Sequence, residues 1–148
     1  SDVLATAHGL MRAIHARLRF DVGTTHAGTS AAEAFSAGHG VCQDLTHIFI
    51  SAARLLGLPA RYVSGYLLQL AGPAEQEASH AWAEAHIPHL GWVGFDAANG
   101  VSPTDAYIRV AIGLDYLGAA PVRGARYGGL DETLDVRVRV DSARQSQA

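Results

Sequence analysis

Between residues 45 and 56, apolar side chains recur at Leu45, Ile48, Phe49, Ala52, Leu55 and Leu56, the three-and-four spacing of one helix face. Gly57 and Pro59 mark its end. An earlier helix is expected over residues 2–19 from Val3, Leu4, Leu10, Met11, Ile14 and Leu18. Ser30 and Glu33 have capping-box spacing, so a short helix over 31–37 should follow, closed by Gly38.

The second half of the chain changes period. Residues 60–70 are apolar on both faces, as a strand with neighbours on each side would be. Residues 79–87 alternate, with His80, Trp82, Glu84 and His86 on one face and Ala81, Ala83, Ala85 and Ile87 on the other. Residues 92–97 alternate as well, and Asn99-Gly100 signals a turn. Further strands are expected at 107–112 and 133–140. Residues 20–25 read as extended, 72–77 as a polar loop, 121–129 as irregular and 141–148 as a frayed polar tail. Helices followed by antiparallel strands make an α+β fold, with the helix after residue 42 packed on the sheet. A hairpin of 79–87 and 91–97 turning at Pro88 would set Trp82 opposite Gly94 and His80 opposite Asp96. Directly opposed residues have Cβ atoms about 4.5–5.5 Å apart, and a two-residue slip would leave this pair on a diagonal.

A length of 148 residues fits one domain that can bury a core without staples. The net charge of −3 and scattered basic residues give no nucleic-acid footprint, and no apolar run is long enough to span a membrane. The chain starts at Ser1, as an excised domain would, so the lack of a leader is uninformative. One cysteine in the whole chain fits a reducing compartment, and a cytoplasmic location is expected. Nothing in the sequence speaks to oligomeric state.

That cysteine shapes the chemistry. Cys42 stands at the start of the helix, where unpaired N–H groups and the helix dipole favour a thiolate, and its own N–H is a natural oxyanion donor. Gly40 permits close backbone approach just before it. A thiol, an imidazole at His80 and a carboxylate at Asp96 are what an activated nucleophile needs: attacker, proton acceptor and orienter. Each residue has a plainer reading. Cys42 could be a small buried apolar residue, His80 a core histidine and Asp96 a turn cap. Asn99 is a rival orienter, although Asn-Gly reads as a turn. Asp44 reads as a charge stabilising the first helical turn, and Trp82 and Trp92 as packing against the helix. His39, His47, His86 and His89 are left without a role. A zinc site drawn from Cys42, His39, His80 and Asp96 lacks a second cysteine and a closed ligand spacing, so neither metal nor cofactor is expected.

Four blocks carry a family resemblance: Gly40-Val41-Cys42-Gln43-Asp44, residues 57–66 (Gly57-Leu58-Pro59-Ala60 onward), His80-Ala81-Trp82-Ala83-Glu84, and Gly91-Trp92-Val93-Gly94-Phe95-Asp96. In this order the chain resembles the bacterial branch of the transglutaminase-like superfamily over about residues 30–113. The segments 108–113 and 121–124 are also similar. The resemblance implies a papain-like α+β fold, a Cys42-His80-Asp96 triad and acyl transfer through a thioester on a peptide or protein amide. Hydrolysis, as a peptidase or amidase, is expected ahead of amine cross-linking. The alternative is a catalytically silent module that binds peptide in the same groove. Ala97 stands where many members have proline, which should loosen that corner. The chain is too short for the β-domains and calcium sites of animal transglutaminases, and the N-terminal β-rich region frequent in bacterial relatives is not in this sequence. Gln43, Tyr62 and Trp82 are the candidates to complete an oxyanion hole or contact substrate.

Overall fold

Asp2 opens the first helix by accepting a hydrogen bond from the Ala5 N–H at 3.0 Å, and α1 runs Val3–Arg17. The computed structural model describes residues 2–68, 79–124, 127–129, 133 and 135–140. The polar loop expected at 72–77, the end of the strand expected at 60–70 and the tail at 141–148 lie outside the described residues. After β1 (Arg19–Phe20), α2 (Ala31–Ala37) begins with the full Ser30–Glu33 capping box and ends at Gly38, whose φ of 77° suits a residue with no Cβ. β2 (His39–Gly40) pairs in parallel with β1 and leads straight into α3 (Cys42–Leu55).

Four strands form one antiparallel sheet in the order β5-β4-β3-β6: β3 (Ala60–Leu67), β4 (Ser79–Ile87), β5 (Gly91–Phe95) and β6 (Tyr107–Gly113). β3 lies between two neighbours, which accounts for its two apolar faces. Ala81, Ala83, Ala85 and Ile87 of β4 join Leu45, Ile48, Phe49 and Ala53 of α3 in the core, and Phe49 stacks on Phe95 at 5.2 Å. This is the helix-on-sheet α+β arrangement the periodicity predicts. No described helix is long and apolar enough to cross a membrane.

Several expectations need correction. The β4–β5 pairing is slipped by two residues, with Ala83 opposite Phe95 and Glu84 opposite Gly94. The expected register would have set Gly91 opposite Ala85, whereas Gly91 pairs with Ile87. The observed turn uses residues 88–90, with Pro88 following Ile87 and His89 at a φ of 68°. Residues 135–140 adopt no regular structure, so the strand expected at 133–140 does not form there. Only Arg19–Phe20 is ladder-paired next to the stretch read as extended at 20–25. A one-turn helix, α4 (Tyr116–Ala119), follows β6; Asp115 caps it, and it is too short to carry a period. Trp82 and Trp92 do not pack on α3. Trp82 is buried on the opposite sheet face and Trp92 is partly exposed beneath Arg61, whose guanidinium stands 4.0 Å from its ring. On that face Glu84 is buried and held by Arg61 Nε at 2.7 Å and Arg109 at 2.8 Å.

Gly65 sits where β3 shifts register against β6, and a Cβ there would lie 2.0 Å from the Ile108 carbonyl oxygen and 2.8 Å from the Trp82 ring. The first contact is with backbone, which cannot step aside. Gly65→Ala is therefore expected to cost about 1–3 kcal/mol or more, read as a drop in thermal midpoint. An unchanged midpoint would mean that the two strands separate more easily than this packing implies.

Candidate active site

Cys42 is the first residue of α3, so its N–H and that of Gln43 belong to the helical turn that has no intrahelical acceptors. The buried Asp44 carboxylate reaches back to accept from the Val41 N–H at 2.9 Å and from the Thr25 hydroxyl at 2.6 Å. It thus braces the helix tip. A Cβ on Gly40 would fall 2.7 Å from Asp44 Cβ, so glycine is needed for this brace to fold over the backbone. Thr46 donates to the Cys42 carbonyl at 2.7 Å.

His80 lies near the start of β4, with its side chain 10% exposed. Its Nε2 stands 2.6 Å from Asp96 Oδ2, and it shares one cavity wall with Cys42, which contributes to raising its pKa. Since the carboxylate takes the Nε2 proton, Nδ1 is the nitrogen left for sulfur. The two-residue slip turns the expected direct His80–Asp96 opposition into a diagonal, still within side-chain reach. Asp96 follows β5 and starts a tight loop: Gly100 and Val101 donate to its carbonyl, and its N–H donates to Val101. Its carboxylate is fully buried. Oδ1 accepts from the Ala98 and Asn99 N–H groups at 3.0 and 3.2 Å, and Oδ2 accepts from Asn99 Nδ2 at 2.8 Å and the Tyr107 hydroxyl at 2.7 Å. The corner at Ala97 is tied down: its carbonyl accepts from His15 Nδ1 of α1 at 3.1 Å.

Burial opposes charge on His80. The Asp96 and Cys42 hydrogen bonds and the negative charge beside the ring outweigh that cost and raise its pKa from 6.5 to about 9. Burial likewise opposes charge on Asp96, but the His80 hydrogen bond and charge, then Tyr107 and Asn99, hold its carboxyl below the usual range. Asn99 Nδ2 is 3.4 Å from His80 Nε2. Both are donors in this arrangement, so Asn99 supports Asp96 and does not replace it.

A cavity of about 860 Å³ opens over Cys42 and His80, with Gln43, Tyr62 and Asn99 in its wall. Gln43 and Tyr62, two of the three substrate-side candidates, therefore line this cavity. Trp82 is not in that wall; it stacks behind His80 with centroids 6.3 Å apart. Tyr62 is buried, and burial, then the Cys42 charge, raise its phenol above the ordinary value. His47, given no role by the sequence, accepts from the Tyr116 N–H at 3.1 Å and stacks near Tyr62 at 5.0 Å, which docks α4 beside the cavity. Burial lowers its pKa, as a neutral acceptor there requires. Among the described residues, no three His, Cys, Asp or Glu side chains cluster as metal ligands would. Sequence reasoning missed Tyr107 entirely. It opens a strand, and nothing local says where its hydroxyl points.

The family model of the transglutaminase-like superfamily matches residues 1–97. An uncharacterized protein of Mycobacterium leprae is 38% identical over 128 residues, covering 84% of this chain and 45% of that protein. A protein-glutamine gamma-glutamyltransferase of Pseudomonas aeruginosa is 32% identical over 122 residues, covering 73% of this chain and 18% of that protein. Among solved structures, a Cytophaga hutchinsonii chain provisionally assigned as a cysteine protease superposes with a TM-score of 0.71. It is 32% identical, covering 80% of this chain and 39% of that one. The chain thus spans less than half the length of each of these proteins. With its helices laid on an antiparallel sheet and its sequence matched from the first helix through Ala97, this chain belongs to the transglutaminase-like superfamily.

Proposed function

We propose that this chain catalyses cysteine-dependent acyl transfer on amide bonds through a thioester on Cys42. The observation that carries the reading is the 2.6 Å contact from a fully buried Asp96 to an imidazole that faces the same cavity as a thiol at a helix tip. In the first half-reaction Sγ attacks the amide carbonyl carbon, and the electron pair moves onto oxygen, towards the Cys42 N–H. The pair then returns, the C–N bond breaks and His80 gives its proton to the departing amine. In the second, water or another amine attacks the thioester, His80 takes the proton of the incoming group and Sγ leaves as thiolate. Asp96 fixes the tautomer and orientation of the ring throughout.

Hydrolysis by water is our first reading for the acceptor, as a peptidase or amidase. The Pseudomonas relative's name brings glutamine amides into the class of donors to test. Incubation with a glutamine-containing peptide pool and a labelled primary amine separates the two. Ammonia or cleaved peptide without retained label is the expected result, and label in the product would move the assignment to transamidation. The lone thiol suits a reducing compartment, so we place the reaction in the cytoplasm, which cell fractionation checks.

Alkylation reads the nucleophile without any substrate. Iodoacetamide is expected to label Cys42 rapidly near neutral pH and at least about tenfold more slowly in His80→Ala, because the imidazolium that favours the thiolate is gone. Equal rates would put a silent peptide-binding module ahead of an enzyme.

A further inference from the structure

Tyr107 has no part in the steps above, yet it touches two of the three groups that perform them. Its hydroxyl donates at 2.7 Å to Asp96 Oδ2, the same oxygen that His80 Nε2 meets at 2.6 Å and Asn99 Nδ2 at 2.8 Å. Its ring stands edge-on to His80 at 5.9 Å and to Trp82 at 5.3 Å, so the imidazole is boxed between two aromatic side chains. It is absent from the cavity wall.

Two features separate this arrangement from ordinary packing. Asn99, Ala98 and Asp96 belong to one loop and would move together, whereas Tyr107 comes from β6, which is anchored to β3. It is the one contact among those on the carboxylate that ties Asp96 to a different sheet strand from the one carrying His80. Moreover, donors on one carboxylate oxygen share its charge. A neutral phenol there reduces what the imidazolium receives.

We propose that Tyr107 is a positioning residue for the triad: its hydroxyl holds the Asp96 carboxylate towards His80 and limits how strongly that carboxylate retains the imidazole proton. The inference rests on the acyl-transfer reading, because only there does the proton's release to a leaving amine matter. An imidazole held too basic would give up its proton slowly, so the phenol keeps the acid useful.

The test is Tyr107→Phe, which keeps the ring and removes the hydroxyl. The midpoint of His80 titration, followed by nitrogen NMR of the imidazole without substrate, is expected to rise by about half a unit above the wild-type value. The alkaline limb of kcat/KM should follow it, with kcat about tenfold lower and KM nearly unchanged. An unmoved midpoint, or lost activity without a shifted limb, would overturn the proposal and leave Tyr107 as packing. If the variant fails to fold, 3-fluorotyrosine at position 107 alone serves instead. Its stronger donor should move the midpoint down, and no movement would overturn the idea equally. Because the titration needs no turnover, an inactive wild type would refute acyl transfer while the Tyr107 comparison is still read.

Discussion

Cys42→Ser is expected to lower kcat/KM on any amide substrate by at least about 10³-fold while leaving the thermal midpoint nearly unchanged. A hydroxyl at the same position is not ionised near neutral pH, and the Cys42 interactions that help to raise the His80 pKa are lost with the sulfur, so the variant has no ionised nucleophile beside an imidazolium. The fold has little stake in the sulfur. The helix tip is braced through Asp44 and Val41, and Thr46 bonds the Cys42 carbonyl, so serine should cost no more than about 0.5 kcal/mol. Activity retained in this variant, measured beside its melting curve, would remove the thioester from the mechanism.

Asp96→Asn should cost both activity and stability. The amide offers one accepting oxygen where the carboxylate has two, and both oxygens of Asp96 are engaged by donors. Either orientation points an NH₂ at N–H or O–H donors, a penalty of about 1–3 kcal/mol. Catalysis should fall by about 10²–10⁴-fold, as expected when the base loses its orienter. The pH dependence carries the sharper signature. His80 is raised by its partners to about 9, so the alkaline limb of kcat/KM should lie near there in the wild type and move towards 6.5 in the variant. Stability follows the same linkage. The contribution of His80 is complete below pH 6.5 and lost as pH rises through about 9, while that of Asp96 is present above its ordinary 3.8 and lost on acidification below it. Thermal midpoints measured from pH 6 to 10 should decline on the alkaline side in the wild type and less in Asp96→Asn. Parallel curves would mean the pair does not hold a proton as described.

Much of the site was legible because its parts are announced by local grammar. Gly40 before Cys42, the apolar stripe from Leu45 to Leu56 and the alternation around His80 each follow from backbone periods that a sequence displays directly. The register did not. A histidine at positive φ looks like any other histidine, so the turn at His89 and the two-residue slip it imposes could not be read from residues 88–91. The strand expected at 133–140 does not form over 135–140 for another reason, because a β-like composition describes a willing strand but supplies no partner. Tyr107 and His15 act on Asp96 and Ala97 across long sequence separations, and such contacts exist only once the sheet has formed.

The inner face of β4 is built from Ala81, Ala83 and Ala85, the smallest side chains that a buried strand can show to a helix. Their thinness sets the clearance at which α3 rides over the sheet, and hence the reach from sulfur to imidazole. A single added methyl would act as a shim beneath the helix and lift the nucleophile away from its base without touching either. Tolerance to bulk along this row should therefore track the gap that the chemistry can bridge.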